Sequence, residues 1–187
     1  MRNSSLLSRS LGVVGVVTSL FCLSASADEP SNPPVNSSNG SANNSSGNTI
    51  SWIDSKPINE LWLNPGFLSY HWQRDKDLNG DNYGIGADYR FTTVLSATAG
   101  EFYNSNRETS KYAGIYYQPI ALGPVRFGAA LGGFNGYPNE KNGGWFLAAI
   151  PVLSYEYERV GLNLMIVPSY KDRLYGSLSF QLKLKVF

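Results

Sequence analysis

Residues 177–186, just before the final Phe187, alternate without a break. Leu178, Phe180, Leu182, Leu184 and Val186 occupy one parity, and Ser177, Ser179, Gln181, Lys183 and Lys185 the other. Successive side chains of a strand leave opposite faces, so this segment has one aliphatic, aromatic face and one polar face. The same period recurs upstream. Tyr83, Ile85, Ala87, Tyr89 and Phe91 oppose Gly84, Gly86, Asp88 and Arg90, and Val125, Phe127, Ala129 and Leu131 oppose Arg126, Gly128, Ala130 and Gly132. Eight strand-like segments follow one another: 66–74, 83–91, 94–103, 112–118, 125–133, 145–157, 161–168 and 176–187. Their connections alternate between long polar loops and tight turns. This pattern predicts an all-β fold, an eight-stranded antiparallel up-and-down transmembrane β-barrel. An even strand number closes the sheet and removes the edges that lipid does not tolerate. A soluble calycin-like barrel fits the same alternation, but with the apolar face turned inward and no clustering of Tyr and Trp at the strand ends.

The N-terminal third sets the compartment. Arg2 and Arg9 precede the apolar run Leu11 to Leu23, and Ser24-Ala25-Ser26-Ala27 supplies small residues before Asp28. This reads as a signal peptide over 1–27, hence export. The other reading, a membrane anchor, asks for ~20 apolar residues, more than this run supplies. Cys22, the one cysteine, lies inside the signal, so the mature domain has no disulfide. Residues 28–49 are a Ser/Asn/Gly/Pro-rich stretch with too little apolar surface to offset its ordering entropy, a disordered tether. Residues 50–64 carry Trp52, Ile58, Leu61 and Trp62, an interfacial segment where Trp is favoured, or a loop packed on the domain. The barrel is expected over 65–187. Lys plus Arg number 15 against 14 Asp plus Glu, a balance that gives no pull toward nucleic acid.

One strand carries an ionisable group. His71 is the single histidine of 187 residues, and it shares a parity with Ser69 and Gln73, opposite Leu68, Tyr70 and Trp72. Up-and-down topology brings the ends of the first and third strands to one rim. His71 and the pair Asn104-Ser105 therefore meet there. An imidazole that takes a serine proton as the oxygen attacks a carbonyl is the minimal acyl-transfer pair, and a neighbouring amide can orient either group. A structural histidine is the other reading. Asp75-Lys76-Asp77-Leu78-Asn79-Gly80-Asp81 starts like a calcium loop, but Gly86 stands where the bidentate Glu belongs, and strands flank it. No metal site and no cofactor are expected.

Over Pro65 to Phe187 the chain resembles the PagP-type lipid A palmitoyltransferases, eight-stranded outer-membrane enzymes. The resemblance rests on Tyr70-His71, on Asn104-Ser105, on Ala113-Gly114 eight residues after Ser105, and on the spacing of Pro65, Pro151 and Pro168. It implies a lipid A acyltransferase in the bacterial outer membrane. The donor would be a phospholipid and the acceptor lipid A, with no nucleic acid and a monomeric barrel. It implies catalytic roles for His71, Asn104 and Ser105, and a lateral gate at Pro65, Pro151 and Pro168, since proline cannot donate a ladder hydrogen bond. It implies an acyl pocket lined by the inward-parity glycines Gly84, Gly86, Gly128 and Gly132 and floored by Tyr116. Two residues depart from the family. Asn104 replaces its Asp, so restoring Asp is expected to raise or preserve activity. Tyr116 replaces its pocket-floor Gly, so a chain shorter than palmitate is expected. A non-catalytic small barrel serving adhesion or envelope integrity through its loops is the alternative. A transport barrel is disfavoured, because eight strands leave no aqueous channel.

Overall fold

The computed structural model describes residues 50–170 and 174–187. The expected signal peptide (1–27) and tether (28–49) lie outside the described residues. Among those described are a three-residue strand β1 (Ile50–Trp52) and eight longer ones: β2 (Pro57–His71), β3 (Asp81–Thr92), β4 (Leu95–Tyr103), β5 (Thr109–Leu122), β6 (Val125–Phe134), β7 (Phe146–Tyr157), β8 (Val160–Val167) and β9 (Ser177–Lys185). Each of the eight pairs antiparallel with its sequence neighbour, and β9 pairs with β2. The sheet is a closed eight-stranded up-and-down barrel, the fold class the alternation predicts.

The turns explain the alternation of loop lengths. Thr92 Oγ1 accepts the N–H groups of Val94 and Leu95 at 3.3 and 3.1 Å, which folds β3 onto β4 over two residues. Gly123 and Glu158 take left-handed φ values of 57° and 53° in the other two tight turns. Longer loops, 72–80, 104–108 and 135–145, occupy the opposite end, as do the described residues 168–170 and 174–176 between β8 and β9.

The apolar faces point outward. Leu68, Ile85, Leu131, Leu147, Ile166 and Leu182 are all exposed, while Asn64, Asp88, Thr98, Gln118, Asn163, Gln181 and Lys183 are buried inside. Exposed Tyr70, Trp72, Tyr83 and Trp145 mark the long-loop end of the outer face, and Phe91, Tyr155 and Tyr157 the short-turn end. A soluble calycin-like barrel has the reverse polarity, so that reading is excluded. The outer surface has the apolar band and aromatic girdles of a membrane barrel. No helix among the described residues is long and apolar enough to cross a membrane.

The segment expected to lie at an interface divides differently. Ile50–Trp52 pairs with Ile120–Leu122 of β5, beyond the point where β4 begins. Thr93 N–H then donates to Lys56 O at 3.0 Å, fastening this segment under the β3–β4 turn. From Pro57 onward the residues belong to the first barrel strand, eight positions before the expected start at 65. Proline and glycine at 65 and 66 read in sequence as the start of a strand, but here they form a bulge inside one. Register shifts against β3 between Asn64 and Gly66, and pairing with β9 lapses between Leu63 and Leu68. Gly66 has φ +101°, a conformation that side chains with a Cβ rarely adopt. The bulge switches the parity. Glu60, Trp62 and Asn64 face the interior before it, and Phe67, Ser69 and His71 face it after. With a strict two-residue period, an inward Trp62 would put His71 into the outer face.

Candidate active site

The barrel interior divides into two halves. The half under the long loops is an apolar cavity, walled by Phe67, Phe102, Tyr112, Phe134 and Phe146. Their rings contact one another in series, Phe67 to Phe102 at 5.0 Å, Phe67 to Tyr112 at 5.9 Å, Tyr112 to Phe134 and Phe134 to Phe146 at 6.1 Å. Tyr137, from loop 135–145, lies edge-on to Phe146, and burial raises its phenol pKa above the ordinary value. Ser69, His71, Ser105, Ser177 and Ser179 give the same cavity its polar lining.

Tyr116 points inward and lies at the bottom of the cavity. It is 5% exposed and packs with Ile150, Val152 and Met165. Its hydroxyl donates to Gln181 Oε1 at 3.5 Å. Beneath it a chain of buried hydrogen bonds crosses the barrel: Gln118 Nε2 donates to Ser154 Oγ (2.7 Å), Ser154 Oγ to Asn163 Oδ1 (2.6 Å), and Asn163 Nδ2 to Gln181 Oε1 (2.9 Å). Below that, Glu156 accepts from Arg90, Arg126 and Lys183, and Glu60 from Arg90 and Lys185. Arg90, Lys183 and Lys185 also surround the Trp62 ring, at 5.5, 4.8 and 5.4 Å from its centroid. This ionic plug closes the short-turn half. Sequence reasoning missed it. The alternating charges at 90, 126, 156, 183 and 185 were its only trace, and nothing in one dimension says which of them meet.

His71 and Ser105 reach the cavity from the same rim, at the ends of β2 and β4. His71 Nε2 is 3.2 Å from the carbonyl oxygen of Asn79. A carbonyl only accepts, so Nε2 carries a proton, and in the neutral ring the lone pair is then on Nδ1. Nδ1 is buried, with no hydrogen-bond partner among the described residues. The neutral ring thus presents this nitrogen as an acceptor at the rim that also holds Ser105.

Asn104 does something else. It is 0% exposed, and its amide is fully committed to the loops. Nδ2 donates to Ser110 Oγ at 2.8 Å and to Gly136 O at 2.7 Å, and Oδ1 accepts from the N–H groups of Asn106 and Glu108 at 2.8 and 3.1 Å. Among its bonds to the described residues none reaches His71. The expected orienting role of the Asn104 side chain is corrected to that of a loop brace next to Ser105.

The expected pocket glycines are also corrected. Gly84, Gly86 and Gly128 do not line the cavity. A Cβ at Gly84 or Gly128 would meet the backbone of the adjacent strand, and at Gly86 the Tyr112 hydroxyl at 2.0 Å. They permit close approach of neighbouring chains or rings. Of the expected glycines Gly132 does line the cavity, and Gly114, which faces it across β5 and β6, lines it too. Period two marked all five alike. Depth along the barrel axis separates them, and it depends on register.

The three prolines lie where pairing fails. β7 and β8 pair only from Val152↔Met165 to Tyr157↔Val160. Phe146 to Pro151 keep their β6 partners but have none on β8, whose Ile166 and Val167 pair with β9 alone. Pro151 is the first residue past the last rung, and Pro168 follows the end of β8. The resulting slit opens beside Ala148, Ile150 and Val167, which line the cavity. Pro65 lies at the separate lapse between β2 and β9.

No protein-family model matches the chain, and no curated protein matches it. Among solved structures it is similar to a de novo designed barrel, TMB2.3, solved by solution NMR, with a TM-score of 0.49 and 16% identity over 69% of this chain and 96% of that one.

Proposed function

We propose that the protein is an outer-membrane acyltransferase that moves an acyl chain from a phospholipid to lipid A. One observation carries this reading: a dead-end apolar cavity has a serine and a histidine at its rim and a break in the strand ladder along its wall. A hydrocarbon chain entering sideways at Pro151 would lie against aromatic rings, with its ester at the rim. Ser105 Oγ attacks the ester carbonyl while His71 Nδ1 takes the hydroxyl proton. The imidazole returns that proton to the departing lysophospholipid oxygen, leaving an acyl-serine ester. A lipid A hydroxyl attacks this ester, gives its proton to His71, and Ser105 leaves as alkoxide and recovers it. Tyr116 sets the chain length by closing the bottom.

The test is mass spectrometry of lipid A from cells producing the wild type, His71→Ala and Ser105→Ala. The wild type is expected to add one acyl chain and both variants none. A chain that persists in both variants removes the proposed pair, and unmodified lipid A with the wild type removes the enzyme reading. The alternative, a non-catalytic barrel that works through its loops, draws on the bracing of loops 104–108 and 135–145 by Asn104. It predicts unmodified lipid A in every sample.

A further inference from the structure

The geometry points to Asn79 as the positioning residue for His71, a role that builds on the acyl-transfer reading but is measurable without it. Loop 72–80 leaves β2 just after His71 and returns across the rim. Three sets of bonds meet at Asn79. Its carbonyl accepts from His71 Nε2 (3.2 Å), and Asn82 Nδ2 approaches the same oxygen at 3.5 Å. Its own N–H donates to the carbonyl of Ser105 at 3.0 Å. Its side chain ties down the peptide that offers that carbonyl: Nδ2 donates to Asp81 O (2.9 Å) and to Asn104 O (3.4 Å), and Oδ1 accepts Asp81 N–H at 3.3 Å.

The placement is fixed from the other side as well. Gly80 O accepts from Ser69 N–H at 2.8 Å, and a Cβ on Gly80 would stand 2.7 Å from Ser69 O, so the loop lies flush against β2. Arg107 donates to Asp77 O and Oδ1 at 2.8 and 2.9 Å, which holds the loop to the turn that follows Ser105.

One residue therefore grips both members of the proposed pair, the imidazole through its carbonyl and the serine through its N–H. Among the described residues no carboxylate reaches His71, and the Asn104 amide is occupied elsewhere. The Asn79 peptide does the tautomer-fixing part of a carboxylate's work without its charge. It keeps the proton on Nε2 and the basic lone pair of Nδ1 available. The loop that starts like a calcium site thus serves as a latch for the histidine.

Because His71 is the only histidine, long-range proton–nitrogen NMR of protein labelled with ¹⁵N-histidine in detergent micelles reports this one ring. The neutral wild-type ring is expected as the Nε2–H tautomer. Asn79→Ala, which frees the peptide while keeping a carbonyl, is expected to give a mixture of tautomers. Asn79→Asp, which keeps the acceptor for Asp81 N–H and loses both donors, should fall between. If transfer is measurable, Asn79→Ala should lower kcat at least about tenfold with KM for phospholipid unchanged, a partial loss of the roughly 10²–10⁴-fold that a positioned base contributes. An Nδ1–H ring in the wild type overturns the assignment, whichever variants fold. So does Asn79→Ala with a wild-type tautomer. An inactive wild type with an Nε2–H ring leaves Asn79 as the anchor of His71 and overturns only the acyltransferase reading.

Discussion

Replacing Asn104 by Asp removes a donor from a buried site that uses it twice. Ser110 Oγ donates its own proton to Asn135 O at 2.6 Å, so it needs a donor from Asn104, and Gly136 O needs one too. A carboxylate offers neither and faces the Gly136 carbonyl with like partial charge. Leaving a buried polar group unmatched costs about 1–3 kcal/mol. Asn104→Asp is therefore expected to lower the urea midpoint of the refolded barrel in detergent and to reduce transfer, reversing the expectation drawn from sequence. A midpoint equal to wild type would return Asn104 to a role at the histidine. Tyr116 is the contrasting residue. Its place as a pocket floor came from the resemblance, on the condition that it points inward, and β5, which keeps its period from Ser110 to Gln118, does bury it. Tyr116→Gly is expected to lengthen the transferred chain, whereas Tyr116→Phe, which loses only the 3.5 Å bond to Gln181, leaves it unchanged. Equal chain lengths in the glycine variant and the wild type would mean that the bottom of the cavity lies elsewhere.

At the scale of elements, the strands were legible where the period is unbroken and illegible where a bulge resets it. β9 and β3 could be read residue by residue. β2 could not, since its two halves point opposite parities inward and only Gly66 joins them. The first half, with Trp62, read as a separate interfacial piece on its tryptophans, and its in-facing residues are out of phase with His71, so the period did not join it to the strand. Gly66→Ala tests the joint. A Cβ there would stand 2.3 Å from Asn82 O, on a backbone at φ +101°. Such strain costs on the order of 1–3 kcal/mol. The variant should refold with a lower urea midpoint, and any part of β2 that slips by one residue would turn His71 outward. An unchanged midpoint would show that the bulge relaxes without cost. The slit between β7 and β8 belongs to the same scale. Pro151→Ala supplies a backbone N–H at the edge of the ladder, so it should raise KM for phospholipid while leaving stability at or above wild type. Unchanged kinetics would move the entry route away from this edge.

Across the whole molecule the interior is asymmetric: apolar toward the long loops, ionic toward the tight turns. In the proposed reading a hydrocarbon chain occupies the first half, and the ion pairs that fill the second stop it there. Glu156 is central to that filling, with Arg90, Arg126 and Lys183 all donating to it, and Arg126 and Lys183 each at 2.5 Å. Removing its charge leaves three cations enclosed with Glu60 as the nearby counter-charge at Arg90. Breaking a buried ion group from one side costs about 3–5 kcal/mol, whereas replacing both partners with groups of similar shape is often near neutral. Glu156→Gln is thus expected to lower stability strongly. Adding Lys183→Met, which retains an apolar stem against Trp62, should restore part of the loss. Equilibrium urea unfolding in detergent, run on wild type, both single variants and the double, measures this coupling. If the double variant loses the sum of the two single losses, the pair is uncoupled and the plug is held by Arg90 and Glu60 instead. If the coupling holds but lipid A products shorten or vanish in Glu156→Gln, the ionic half is what keeps the cavity floor in place.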